Sequence, residues 1–347
     1  MNFGSDNCSG VHPAVMAALM AANEGYVASY GGDALTAAAE DRVREVLDAP
    51  EASVLFVATG TAANAICLGG AVNGWDRIFC HEDAHIETSE CGAPELFTGG
   101  AKLTLMPGDG GLIDPDALDR AAGFWAGEGL GGSRPGAISL TNTTEWGRIW
   151  TAEMLAEISA IGKQHQLLLH MDGARFANAV AGSDAEPASV THRAGVDLLS
   201  FGGTKNGAMG VEAIVAFNPE LAARLDYIRK RSGHLLSKHR FLSAQFYALM
   251  EGGLWLELAR HANDMAGLLA QQLDAVEGAH LAQPADANQV FAVIPVDAED
   301  RARSAGAVFH KWASLGEETE DMVTVRFVCG WNTTEEDVSD LVEALRG

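Results

Sequence analysis

The chain has 347 residues, of which 48% are hydrophobic, and a formal net charge of −24 at pH 7. Such an acidic protein repels a nucleic-acid backbone, and no apolar run approaches the roughly 20 residues that a membrane helix requires. We therefore expect neither nucleic acid nor a membrane as a partner. The first residues lack the basic-then-apolar order of a signal peptide, and the five cysteines form no C-x-x-C pair, which predicts a cytoplasmic protein with reduced thiols.

The chain begins with two predicted helices. Residues 14 to 47 contain two alanine-rich helical patterns, separated by the break Tyr30-Gly31-Gly32-Asp33. A buried strand is predicted at 54–58, and Thr59-Gly60-Thr61 then leads into a helix. Because a helix N-terminus offers free backbone N–H groups and a positive dipole, Gly60 and Thr61 are candidate ligands of a phosphate. The same residues also suit an ordinary helix cap.

Short apolar strands alternate with helices over the next part of the chain. They are predicted at 77–80, 102–105, 137–140, 167–171 and 196–200. This alternation is typical of an α/β fold in which a mostly parallel sheet lies between helices. Functional residues of such folds cluster at the carboxyl ends of the strands.

The pattern changes after a basic region near 219–240. A long helix is predicted at about 242–275, and strands follow at 290–294 and 322–327. This order predicts a small C-terminal α+β domain. We place the N-terminal segment and the large domain at 1–245 and the small domain at 246–347.

Two reactive groups follow strands of the predicted sheet. Lys205 lies in the string Ser200–Gly207, beside glycines and the hydroxyl of Thr204, and Asp172 directly follows the strand at 167–171. A lysine amine can form an imine with the aldehyde of pyridoxal phosphate (PLP), and a carboxylate at the pyridine nitrogen keeps that nitrogen protonated. The pair therefore predicts a PLP site, in which Thr204 is a further contact. Arg175 suits a substrate carboxylate or the phenolic oxygen of the cofactor.

Two motifs of other protein classes fail in their context. Residues 81–85 match the H-E-x-x-H pattern of zinc proteases, but they directly follow a strand instead of lying on a long helix. We therefore predict no metal site, and we expect His85 to stack on a planar cofactor ring and to exchange protons. Residues 127–132 match G-x-G-x-x-G without a preceding strand or a following helix, which predicts a surface loop.

Six sequence motifs occur in a fixed order across nearly the whole chain. They are Gly4–Asn7, Gly60–Asn64, Ala84–Pro94, Thr144–Gly147, His170–Phe176 and Phe201–Gly207. In residues and order they resemble the low-specificity L-threonine aldolases, PLP enzymes of fold type I in the aspartate aminotransferase superfamily. The resemblance implies a seven-stranded sheet. It also implies cleavage of L-threonine, L-allo-threonine and related β-hydroxy-α-amino acids to glycine and an aldehyde.

The resemblance also implies roles for individual residues. Lys205 would form the imine with PLP, Asp172 would pair with the pyridinium nitrogen, and His85 would stack on the ring. The phosphate would be held by Gly60, Thr61 and Thr204. The substrate carboxylate would be held by Ser5, Arg175 and Arg326.

The resemblance further implies an oligomer with shared sites. In the family, basic residues of a neighbouring subunit reach the cofactor phosphate, and Arg231 and Lys238 are the matching positions. We therefore expect a homo-oligomer, with a dimer as the smallest active unit and a tetramer as the assembly.

One departure from the family pattern leaves the catalytic base open. Many threonine aldolases carry a histidine in the loop after the strand at 138–140, whereas this chain has Asn142-Thr143-Thr144-Glu145. The β-hydroxyl proton would go to His85 or to a water that Glu145 orients. Other activities built on the same lysine also stay open: a phenylserine aldolase, an amino-acid racemase, a β-eliminating lyase, or a noncatalytic PLP carrier.

Overall fold

A seven-stranded sheet forms the centre of the large domain in the computed structural model, which describes residues 1–312 and 321–347. Its strands are β1 (Ser53–Val57), β2 (Asp76–His81), β3 (Lys102–Met106), β4 (Arg134–Thr141), β5 (Leu168–Gly173), β6 (Leu198–Gly202) and β7 (Glu212–Ala216). Their spatial order is β1-β7-β6-β5-β4-β2-β3, and β7 runs opposite to the other six strands, which are parallel to one another. The predicted α/β fold with a mostly parallel sheet is confirmed.

Ten α-helices belong to the part of the chain that contains this sheet. They are α1 (Pro13–Ala22), α2 (Ala34–Val46), α3 (Gly60–Ala71), α4 (His85–Thr88), α5 (Ala93–Thr98), α6 (Pro115–Gly127), α7 (Ala152–His165), α8 (Phe176–Ser183), α9 (Ala222–Arg231) and α10 (Arg240–Met250). Polar side chains cap several of them. Asp33 accepts a hydrogen bond from the backbone of Thr36 at the start of α2, and Thr59 accepts one from Ala62 at the start of α3.

The prediction of one long helix at about 242–275 is wrong. The structure has two helices, α10 and α11 (Leu254–Gln272), which are separated by Glu251–Gly253. Gly252 and Gly253 have φ values of +62° and +80°, a left-handed conformation that ends a helix and favours glycine. The domain boundary between residues 245 and 246 falls inside α10 and stays a prediction.

A second, antiparallel sheet forms the C-terminal α+β domain, as predicted. Its strands are β8 (His280–Leu281), β9 (Gln289–Pro295), β10 (His310–Lys311) and β11 (Met322–Val328), in the order β10-β11-β9-β8. Helices α11, α12 (Val296–Ser304) and α13 (Glu335–Arg346) accompany this sheet. No helix in the described residues combines the length and apolar character needed to cross a membrane.

The N-terminal segment packs against the small domain. Phe3 is fully buried in the core of that domain, where its ring meets Phe327 edge-on at 6.3 Å. The backbone of Asn2 forms a parallel bridge with Val308. This packing brings Ser5, which follows two residues after Phe3, to the same cavity as Arg326 of β11.

Candidate active site

A cavity of about 550 Å³ lies where the parallel strands of the large sheet end. Ten residues predicted from the sequence line it: Ser5, Gly60, Thr61, His85, Glu145, Asp172, Arg175, Thr204, Lys205 and Arg326. Two others do not: Arg231 and Lys238 are exposed on the surface, and both were predicted to serve a neighbouring subunit. The cavity therefore collects residues from both domains and from the N-terminal segment.

Lys205 follows β6, and Asp172 lies near the end of the neighbouring strand β5. Lys205 lies in a short turn directly after β6, and the side chain of the next residue, Asn206, donates a 2.7 Å hydrogen bond to the carbonyl of Trp255. Burial, and next the charge of Arg175, lower the pKa of Lys205, which favours the neutral amine that attacks an aldehyde. Asp172 is buried near the end of β5 and accepts a 2.9 Å hydrogen bond from the backbone of Ala174.

A chain of hydrogen bonds joins Asp172 to His85. The amide nitrogen of Asn64 donates to Asp172 Oδ2 and to Glu90 Oε1, both at 2.8 Å, and Glu90 Oε1 lies 2.8 Å from His85 Nδ1. A carboxylate only accepts, so His85 Nδ1 carries a hydrogen and Nε2 keeps the free lone pair when the ring is neutral. This hydrogen bond raises the pKa of His85.

The roles of Asn64 and Glu90 were missed in the sequence. Both residues stand inside the family motifs Gly60–Asn64 and Ala84–Pro94, which was the available signal. Their pairing is a tertiary contact, because α3 carries Asn64 whereas Glu90 follows α4. The side-chain ligand atoms of His85, Glu90 and Asp172 lie within 4.8 Å of one another, a spacing that a metal ion would accept. Asn64 already bridges both carboxylates through an amide nitrogen, and the absence of a metal stays a prediction.

Glu145 contacts His85 through the backbone. Its Oε1 atom accepts hydrogen bonds from the backbone nitrogen of His85 at 2.7 Å and from the hydroxyl of Thr141 at 2.8 Å. Its Oε2 atom is buried and has no hydrogen-bond partner among the described residues. Burial raises the pKa of Glu145. The carboxyl group therefore fixes the start of α4, which carries His85.

Arg175 pairs with a carboxylate at the domain interface, and the charge of Arg326 also acts on that carboxylate. Arg175 donates two hydrogen bonds to Asp6, at 2.7 and 2.9 Å, and Asn288 donates a third at 3.1 Å. Arg326 lies 4.3 Å from the ring centre of Trp312, and its Nε atom has no partner among the described residues. Burial, and next the charge of Arg175, lower the pKa of Arg326 to about 10. The pair therefore retains a positive charge that an anion would balance.

Glu212 is a further cavity residue that the sequence analysis missed. It begins β7, a strand that was not predicted, and it is buried. Its Oε2 atom accepts a 2.7 Å hydrogen bond from the backbone nitrogen of Gly203. Burial raises the pKa of Glu212 to about 7. A short apolar run after Gly210 was the available signal.

Comparison with known proteins identifies the class. A model of the β-eliminating lyase family matches residues 2–296, and the chain belongs to this family. The TDC of Oryza sativa, solved with PLP and tryptamine, shares the fold with a TM-score of 0.78 at 15% identity, over 99% of this chain and 82% of that one.

More similar relatives agree on one activity by name. The low-specificity L-threonine aldolase of a Pseudomonas species is 40% identical over 344 residues, which cover 99% of this chain and 96% of that protein. The threonine aldolase structure from Leishmania major has a TM-score of 0.92 and 30% identity, over 99% and 98% of the two chains. The resemblance drawn from the sequence motifs is confirmed.

Pyridoxal phosphate is the cofactor that this family and fold support, and the residues present fit it. Lys205 supplies a buried amine with a lowered pKa, and Asp172 supplies a buried carboxylate in the same cavity. The first turn of α3 and the hydroxyl of Thr204 supply donors for a phosphate. The donor set therefore matches an aldehyde, a protonated ring nitrogen and an anion.

Proposed function

We propose that the chain cleaves L-threonine, L-allo-threonine and related β-hydroxy-α-amino acids to glycine and an aldehyde. The observation that carries this proposal is the presence of the Lys205 amine and the incompletely neutralised Arg175 and Arg326 pair in one cavity. An amine for the cofactor and a positive site for a carboxylate are what an amino-acid enzyme of this class requires. The names of the similar proteins support the same reaction.

Bound PLP supplies an electron sink for the pair of electrons released when the bond between Cα and Cβ breaks. Asp172 holds a negative charge for the ring nitrogen, and Asn64 fixes that carboxylate through its amide. Arg175, Arg326 and Ser5 are proposed to hold the substrate carboxylate. Since Asp6 already occupies two donors of Arg175, the less paired Arg326 provides much of the free positive charge.

His85 is proposed as the group that takes the proton of the β-hydroxyl. Glu90 accepts from Nδ1, which leaves Nε2 as the atom that accepts a proton. Glu145 is proposed to act through His85, because its Oε1 atom already accepts from the His85 backbone and from Thr141. A water held between these groups and the substrate is the second candidate for the base.

The phosphate is proposed to lie at Gly60, Thr61 and Thr204. A second copy of the chain is proposed to bring Arg231 and Lys238 to it, so that the dimer is the smallest complete unit. Both side chains are exposed and are therefore available to a neighbour. Sedimentation of the PLP-loaded protein would measure the assembly, and Arg231→Ala together with Lys238→Ala should weaken PLP binding.

The direct test mixes the purified protein with PLP and L-threonine. We expect glycine and acetaldehyde in equal amounts, and a visible absorption band that changes when the amino acid is added. Lys205→Ala should abolish both. Formation of D-threonine would indicate a racemase, ammonia with a 2-oxo acid would indicate a β-eliminating lyase, and turnover of phenylserine alone would indicate a different aldolase. A band without any turnover would indicate a carrier and would refute the proposal.

A further inference from the structure

Glu212 lies between the two loops to which the phosphate is assigned. In the sheet register it is opposite Val57 at the end of β1 and opposite Gly202 at the end of β6. The segment 58–61, which includes the start of α3, and the loop 203–205 follow these two strands at the same edge of the sheet. Because neighbouring strands are about 4.8 Å apart, the carboxyl group of Glu212 is within a few ångströms of both loops. A buried carboxylate in this place conflicts with a site for a phosphate dianion.

The surroundings of Glu212 contain little positive charge. Glu212 is 7% exposed and lines the cavity. The charge of Lys205 lowers the pKa of Glu212, and the charge of Asp172 raises it. The elements that pack most extensively against β7 are β1, β6 and α3, and none of these three contains an Asp, Glu, Lys, Arg or His. The hydrogen bond from the Gly203 backbone and the contact with the Thr204 hydroxyl supply the remaining polar partners.

We propose that Glu212 binds a proton when the cofactor phosphate binds, so that the affinity of the protein for the phosphate falls as the carboxyl group ionises. This inference rests on the proposed function, because it takes the phosphate to lie at Gly60, Thr61 and Thr204. The neutral carboxyl group offers an O–H donor to the phosphate, whereas the ionised group repels it. Burial raises the pKa of Glu212 to about 7, so the change falls near neutral pH.

The test uses the full chain, freed of its cofactor, and the variant Glu212→Gln, which keeps the shape and an acceptor for Gly203. The probe is pyridoxamine 5′-phosphate, which has no aldehyde and therefore forms no imine with Lys205. Calorimetry at about pH 6 and about pH 8.5 measures the dissociation constant on both sides of the pKa. Pyridoxamine, which lacks the phosphate, is the control ligand. Glu145→Gln is the control variant, because Glu145 follows β4, which is three strands away from β7 in the sheet.

We expect equal affinities of the two proteins for the phosphate probe at the lower pH. At the higher pH the natural chain should bind it at least about tenfold more weakly than Glu212→Gln, because each pKa unit of coupling is a tenfold change in affinity. The natural chain should also take up more protons on binding, measured in buffers of different ionisation enthalpy. Glu145→Gln should alter the binding of the two ligands by the same factor.

An affinity ratio that is the same at both pH values, or that is equal for the two ligands, would overturn the inference and leave Glu212 as a brace of the Lys205 loop. Should Glu212→Gln not fold, the natural chain decides alone: its preference for the phosphorylated ligand must fall as the pH rises through about 7. Threonine cleavage by the PLP-loaded natural chain is assayed separately. Its absence would refute the proposed function, whereas the binding experiment decides the role of Glu212.

Discussion

Replacing Glu90 with glutamine tests the hydrogen-bond chain that supports His85. The Glu90 side chain is fully buried, and it contacts both His85 Nδ1 and the amide of Asn64 at 2.8 Å. Glutamine keeps the size and an acceptor oxygen but removes the negative charge. Since the hydrogen bond with Glu90 raises the pKa of His85, the variant should have a lower His85 pKa. The neutral imidazole is the form that accepts a proton, so the acid limb of the pH profile of kcat/KM should move to lower pH.

The size of the loss follows from the exposure of the partners. A hydrogen bond to a charged group contributes about 1.5–3 kcal/mol, and the lower value applies here because the His85 side chain is 43% exposed. We therefore expect kcat/KM at its optimum to fall by about tenfold, which corresponds to about 1.4 kcal/mol. Steady-state cleavage of L-threonine between about pH 5 and pH 9 measures both effects.

Glu87→Gln is the matched control for this experiment. Glu87 belongs to the same short helix, α4, but it is exposed. Its replacement should leave the acid limb in place. An acid limb that stays unchanged in Glu90→Gln, or that moves to higher pH, would refute the assignment of Glu90 as the residue that sets the protonation of His85.

Three further predictions follow from separate features. Arg326→Ala should raise KM for L-threonine by about 10- to 100-fold with a smaller change in kcat, because it removes a charged contact worth about 1.5–3 kcal/mol. An effect confined to kcat would contradict a role of Arg326 in substrate binding. Gly252→Ala should lower the free energy of unfolding by about 1–2 kcal/mol, because alanine is strained in the left-handed conformation of residue 252. No atom blocks the new methyl group, so the strain is the only expected cost. Gly127→Ala, at a position with ordinary backbone angles, is the control, and the denaturation midpoint is the measurement. Thiol labelling of the folded protein at about pH 8 should modify the exposed Cys8 and Cys91. The buried Cys67, Cys80 and Cys329 should react only in denaturant. Burial also raises the pKa of Cys67 and Cys329 to about 12, which disfavours their reactive thiolate form.

The inner parallel strands of the sheet were predictable because both of their faces are buried. Such strands are continuous apolar runs, and β2 is buried at all six positions. By contrast, β7 escaped prediction because it follows β6 without an intervening α-helix and pairs with it antiparallel. The break between α10 and α11 was visible as Gly252-Gly253, but the helical period on both sides of it concealed the turn.

The site was predictable as far as it follows from strand ends and family motifs. Lys205 and Asp172 could be located because each one lies at or just after the end of a strand. The hydrogen-bond partners of the cavity residues could not, since those contacts join distant segments: Asp6 pairs with Arg175, and Asn64 with Asp172. A buried carboxylate requires a partner, but the sequence does not show which distant residue provides it.

The packing of Phe3 on Phe327 has a consequence for how the protein is made. The ribosome makes the N-terminal segment first, whereas β9 and β11, on which that segment packs, are made near the end of translation. The hydrogen bond from Asn288 to Asp6 likewise cannot form until residue 288 has been translated. The carboxylate end of the cavity therefore assembles only after nearly the whole chain has been translated, and a prematurely released nascent chain would contain the Lys205 loop without a finished pocket for an amino acid.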